Sequence, residues 1–99
     1  FVTVLAGDPD SLIDAAEQAA ETALTEKPIA DGAGTLCVFD CISRHLYLDE
    51  TFDQEVAAID AGGWPMVGAL TIGEIANDGT GHLDYYNKTA VVAAVSDDA

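Results

Sequence analysis

Positive charge is almost absent from this chain. Lys27, Arg44 and Lys88 are its only lysine or arginine residues, against 18 aspartates and glutamates, and the formal net charge is −15. A nucleic-acid-binding surface needs a basic stripe to neutralise phosphates, so nucleic acid is excluded as a partner. An anionic membrane surface would repel the chain in the same way, and no run approaches the roughly 18 apolar residues that mark a membrane-spanning helix. Cysteine is scarce too. Cys37 and Cys41 are the only two, and in a strand their four-residue separation is about 13 Å, beyond the roughly 7 Å that a disulfide tolerates between Cα atoms. A metal site wants more Cys and His ligands at tighter spacing, so no metal or cofactor is expected. The sequence lacks a Gly-x-Ser-x-Gly element, a phosphate-binding loop and a His-rich metal pattern. A pairing of Cys41 with His45 or His82 can be drawn on paper. No catalytic set emerges, and the expectation is a protein that is not an enzyme.

What the chain does have is apolar substance. Its 99 residues are 49% hydrophobic, which suits one folded domain over 1–99 that needs no disulfide staples. Disorder pairs high charge with low hydrophobicity, and the second condition is missing. Like charges at this density destabilise a compact state at low salt, whereas molar salt shortens the Debye length to about 3 Å and screens them. One reading is a generally acidic domain. The other is a protein of a salt-loaded cytoplasm, as in haloarchaea, and the use of acids and alanine where helices usually carry lysine favours it. The chain opens on Phe1 rather than methionine, which reads as a fragment of a longer protein with no signal peptide in view.

Phe1 to Ala6 has the β-branched, apolar character of a strand. Asp8 is a plausible N-cap with Pro9 at the first helical position. Leu12, Ile13, Ala16, Ala19, Ala20, Ala23 and Leu24 then recur at helical spacing, and Lys27-Pro28 should end the helix. A loop over Asp31 to Gly34 leads to a second strand, Thr35 to Ile42. A second helix is expected from Thr51, where Thr51 and Gln54 match a capping box, with Phe52, Val56 and Ile59 as its apolar stripe and Gly62-Gly63 as its end. Pro65 to Ile72 reads as a third strand, Gly73 to Lys88 as a long loop, and Thr89 to Val95 as the last strand. The order β-α-β-α-β-β implies an α/β (α+β) fold: a mixed four-stranded sheet with two helices packed on it, containing a parallel pair. The strands are apolar on both faces, as in a sheet covered on both sides. Two helices cover one side, so the other is expected to meet a neighbouring domain or a second copy in a homodimer.

Several residues could carry chemistry. Cys37 and Cys41 are either small core thiols of a reducing compartment or, for Cys41 at a strand end, functional. Arg44 either pairs with a protein acid or holds a ligand carboxylate or phosphate through its fork. His45 is a surface residue or a proton-sensitive contact. Gly73 permits a tight turn or a close approach. Glu74 is a structural cap or salt-bridge partner, or a seat for a ligand ammonium. His82, Tyr85, Tyr86, Asn87 and Thr89 belong to a loop that could bind something or simply turn.

Taken in order, Leu36-Cys37-Val38-Phe39-Asp40-Cys41-Ile42-Ser43-Arg44 is a strand ending in Cys-x-x-Arg, and Glu55 lies in the next helix. Pro65 to Ile75, with its Gly73-Glu74-Ile75, and Asn87-Lys88-Thr89-Ala90-Val91-Val92 follow. This succession, with the opening Gly7-Asp8-Pro9 and the Ala-rich helix, resembles the C-terminal domain of the FIST sensory family (F-box and intracellular signal transduction proteins). The resemblance implies a cytoplasmic input domain of a signalling protein, one that binds a small ligand such as an amino acid and regulates an attached output domain. It further implies that Cys41, Arg44, Glu55, Gly73, Glu74, Asn87 and Thr89 are the ligand-binding positions. The expected partners are that ligand, the N-terminal FIST half and the output domain. On this view Arg44 would hold the ligand carboxylate and Glu74 its ammonium. The alternative is a structural or dimerisation module that relays a signal without binding a ligand.

Overall fold

A computed structural model of the protein describes residues 7–26, 34–60, 63–77 and 81–96. The strand expected over Phe1 to Ala6 lies outside these residues. Helix α1 spans Pro9–Glu26, and its start is locked as the sequence implies. Asp8 Oδ1 accepts the Ser11 backbone N–H at 2.8 Å, and the Ser11 hydroxyl accepts the Asp8 N–H at 3.1 Å. This reciprocal cap satisfies two donors that a helix start leaves open.

Strand β1, Gly34–Cys41, is central. It pairs in parallel with β2, Met66–Thr71, and antiparallel with β5, Ala90–Ser96. The parallel pair needs a crossover, which α2 (Ile42–Leu48), a 3-10 turn (Asp49–Thr51) and α3 (Phe52–Ile59) supply. The fold is therefore α+β, helices on a mixed sheet, as expected. Two short strands, β3 (Glu74–Ala76) and β4 (Asp84–Tyr86), form a separate antiparallel hairpin.

Three local expectations are corrected. Helix α2 begins directly at Ile42, a residue expected to end the strand. The interval from Gly73 to Lys88 is not all loop, since it holds β3 and β4. The capping box at Thr51 does not form: Thr51 already has αR backbone angles as the end of the 3-10 turn, and its hydroxyl donates back to the Leu48 carbonyl at 2.6 Å.

The core lies between α1, α3 and one face of the sheet. Ala16 and Ala20 of α1, Leu36 and Val38 of β1 and Ile59 of α3 are buried together, with Leu24, Trp64, Ala90, Val92 and Ala94 packed around them. Small alanines on α1 let the helix lie close to the strands. Strand alternation sends the intervening β1 residues to the opposite face. There Phe39 is 45% exposed, and Val67 and Val95 are 60% and 49% exposed. The apolar second face anticipated from the sequence is thus present, and it is open to solvent.

Candidate functional site

The strands of the main sheet bring the expected site residues to one end. Cys41 closes β1 and sits beside Thr71, the last residue of β2. The Cys41 N–H donates to the Thr89 carbonyl at 3.1 Å, so the approach to β5 reaches the same place. Glu74 ties these segments together. Its Oε2 accepts from the Thr71 hydroxyl at 2.9 Å and its Oε1 from the Thr89 N–H at 3.1 Å. The carboxylate is buried, and these charge-assisted bonds offset part of its desolvation.

Gly73 makes the approach of the hairpin possible. Its φ is +86°, and a Cβ there would lie 2.7 Å from Cε2 and Cζ of Tyr85. The turn therefore needs glycine for its backbone angles, and a Cβ there would push aside the tip of the exposed Tyr85 ring. Lys88, at φ 55°, takes the left-handed region without being glycine. This conformation accompanies a carbonyl that accepts from Arg44, and an ammonium 3.9 Å above the Tyr47 ring.

Arg44 is 4% exposed and works as an internal cross-brace. Its Nε donates to Glu55 Oε1 at 2.7 Å, and Nη2 donates to the same oxygen. Nη2 also donates to the Leu12 carbonyl at 2.6 Å, and Nη1 to the Lys88 carbonyl at 3.2 Å. One side chain thus connects α2 with α3, α1 and the segment before β5. Of the two roles left open for Arg44, pairing with a protein acid is the one made here, and its partner is Glu55, which is fully buried. Asp40 joins this cluster. Its Oδ1 lies 3.5 Å from Arg44 Nε, and that oxygen and Glu55 Oε2 have no hydrogen-bond partner among the described residues. Burial, then the nearby Glu55 charge, push the Asp40 carboxyl up to about 7, and Arg44 opposes the rise only in part.

The Cys41 thiol meets opposed influences. Burial disfavours its ionised form, but hydrogen bonds from the Ser43 side chain and backbone and from the Lys88 and Gly73 backbones outweigh this and lower its pKa below the ordinary 9.0. The Ser43 hydroxyl is 3.1 Å from the sulfur.

Six of the seven positions implied by the resemblance, Cys41, Arg44, Glu55, Gly73, Glu74 and Thr89, therefore meet in one buried or half-buried cluster. Asn87 stands at its rim, exposed, with its carbonyl accepting from the Thr89 hydroxyl at 3.0 Å. His45 is exposed and stacks edge-on with Phe52, and His82 is a surface residue 3.3 Å from Asp84. Sequence reasoning passed over Asp40 and Lys88. An acid inside the otherwise apolar strand TLCVFDC was the available signal for the first. Nothing in the local sequence marks a carbonyl acceptor such as that of Lys88. Among the described residues no group of three His, Cys, Asp or Glu side chains is placed to hold a metal ion.

The FIST C domain family model matches residues 1–77. The chain belongs to this family of sensory and signal-transduction domains. No curated protein and no solved structure matches the chain. No described helix is long and apolar enough to cross a membrane.

Proposed function

We propose that the domain is the sensory input unit of a longer cytoplasmic signalling protein. It binds a small ligand with amino-acid chemistry and regulates an attached output domain without catalysing a reaction. The observation that carries this reading is the convergence of Cys41, Gly73, Glu74 and Thr89 at the C-terminal end of β1 and β2. Ligands of open α/β sheets collect at such strand ends. Among the described residues each oxygen of Glu74 accepts one hydrogen bond, and each has a second lone pair, which suits a ligand ammonium. Asn87 at the rim supplies polar contacts. Arg44 and Glu55 hold the frame behind the site, so ligand binding that moves Glu74 would be transmitted to α1 and α3. Signalling follows if the ligand prefers one arrangement of these elements. The net charge of −15 supports a salt-loaded, haloarchaeal cytoplasm as its setting.

A thermal-shift screen of the twenty amino acids and common metabolites in about 2 M KCl tests the reading. A ligand at 100 times its Kd adds about 2.7 kcal/mol of stability. The expected result is a shift with one ligand that Glu74→Gln abolishes. No shift, with this chain or with the longer protein, refutes ligand binding.

A second reading rests on the apolar sheet face around Phe39, Val67 and Val95. A module that only relays would bury this face against a second copy or the N-terminal FIST half. Sedimentation at molar salt separates the two, because a relay module dimerises, or binds that half, with no ligand present.

A further inference from the structure

Three acids and one base form the buried polar centre of the described residues. Asp40, Glu55 and Glu74 are 5%, 0% and 3% exposed, and Arg44 is 4% exposed. Fully ionised, the cluster would hold two uncompensated negative charges, which a buried site does not carry without relief. Glu74 has its two donors, Thr71 and Thr89. Glu55 Oε1 has Arg44, but Glu55 Oε2 and Asp40 Oδ1 have no hydrogen-bond donor among the described residues. Every ionised carboxylate oxygen is an acceptor only, so two such groups within reach of one another cannot satisfy each other unless one is protonated. The Asp40 and Glu55 carboxyls are drawn together on one donor, since Asp40 Oδ1 lies 3.5 Å and Glu55 Oε1 2.7 Å from the same Arg44 Nε.

We infer that Asp40 and Glu55 share one proton beside Arg44, and that this pair is a proton-binding site through which the domain responds to pH. A proton on either carboxyl turns an acceptor-acceptor contact into an O–H···O bond. The groups that face the pair are Arg44 on α2, Glu74 on β3, the Leu12 carbonyl on α1 reached through Arg44, and the Lys88 carbonyl before β5. Arg44 favours release of the proton, whereas Glu74 and burial favour its retention. In the folded state Asp40 takes up its proton far above the ordinary aspartate value of 3.8, at about 7, because burial and the Glu55 charge disfavour its ionised form. The sign follows. The folded pKa lies above the unfolded one, so the folded state binds more protons between about 4 and 7, and stability falls as pH rises through that window. Loss of the proton leaves repelling carboxylates at the point where α2, α3 and β1 meet, and loosens Arg44's hold on α1.

The test is a pH titration of the intact chain in about 2 M KCl, followed by carbon-detected NMR of the Asp and Glu side-chain carboxyls. One carboxyl signal should move near neutral pH, about three units above the ordinary aspartate range, and should vanish in Asp40→Asn. Histidine side chains give no carboxyl signal, so the readout belongs to the acids alone. In parallel, the wild-type unfolding midpoint should fall between pH 5 and 8, while that of Asp40→Asn stays level, because its amide donates permanently to Glu55. Glu55→Gln provides the same comparison from the other side if Asp40→Asn does not fold. The proposal is overturned if all carboxyls of the wild type titrate below about pH 5.

Discussion

Replacing Arg44 with alanine removes the cation from the buried acid cluster, and the structure sets the size of the damage. Arg44 donates to Glu55, to the Leu12 carbonyl and to the Lys88 carbonyl. Truncation leaves Glu55 buried with no described donor. Breaking a buried pair by removing one partner costs about 3–5 kcal/mol, and the two orphaned carbonyls add to this unless water reaches them. A domain of this length has roughly 5–15 kcal/mol in total. With a urea m-value of about 1–3 kcal/mol/M, the midpoint should drop by roughly 2 M. Trp64 is the single tryptophan and packs against the core, so its fluorescence reports the transition. The loss should be larger at pH 8 than at pH 5, since protonation of the acids relieves the uncompensated charge. Arg44→Met with Glu55→Met should recover part of it, because neither charge is then stranded. A midpoint shift under about 0.5 M for Arg44→Ala would refute the cross-brace and return Arg44 to the role of a free ligand-binding fork.

Gly73→Ala should destabilise the hairpin docking by about 1–3 kcal/mol, from a left-handed backbone angle and the Tyr85 ring on its Cα; a Tyr85→Ala background should reduce the loss, and equal losses in both backgrounds would show that the ring contact does not matter. Leu36→Ala, at a residue 1% exposed between the helices and the sheet, should cost about 2–5 kcal/mol in the same urea assay, whereas Val67→Ala on the open face should cost far less.

Much of the scaffold was legible because its elements obey simple periods. The stripe from Leu12 to Leu24 and the cap at Asp8 mark α1, and the apolar runs mark β1, β2 and β5. Helix α2 was hidden for a physical reason. It is one strand-end away from β1, has no loop before it, and is only seven residues long, so its buried pair of Arg44 and Leu48 spans a single i,i+4 step. Strands β3 and β4 have three residues each, too few to show alternation. The site residues were legible as types. Their roles were not: whether Arg44 faces a ligand or Glu55 depends on α3 folding back over α2, which no local pattern encodes. Asp40 stood in plain view inside an apolar strand, and its meaning required knowing that Glu55 arrives opposite it.

The family match ends at residue 77, yet β1 takes its antiparallel neighbour from residues 90–96. Arg44 takes an acceptor from Lys88, and Glu74 a donor from Thr89. The unit that folds therefore extends past the matched segment. A chain cut after residue 77 would leave β1 with an unpaired edge of seven residues, and Arg44 and Glu74 each short of a partner. Changes in the last strand would therefore reach the stability of β1 and the geometry around Glu74, although they lie outside the matched segment.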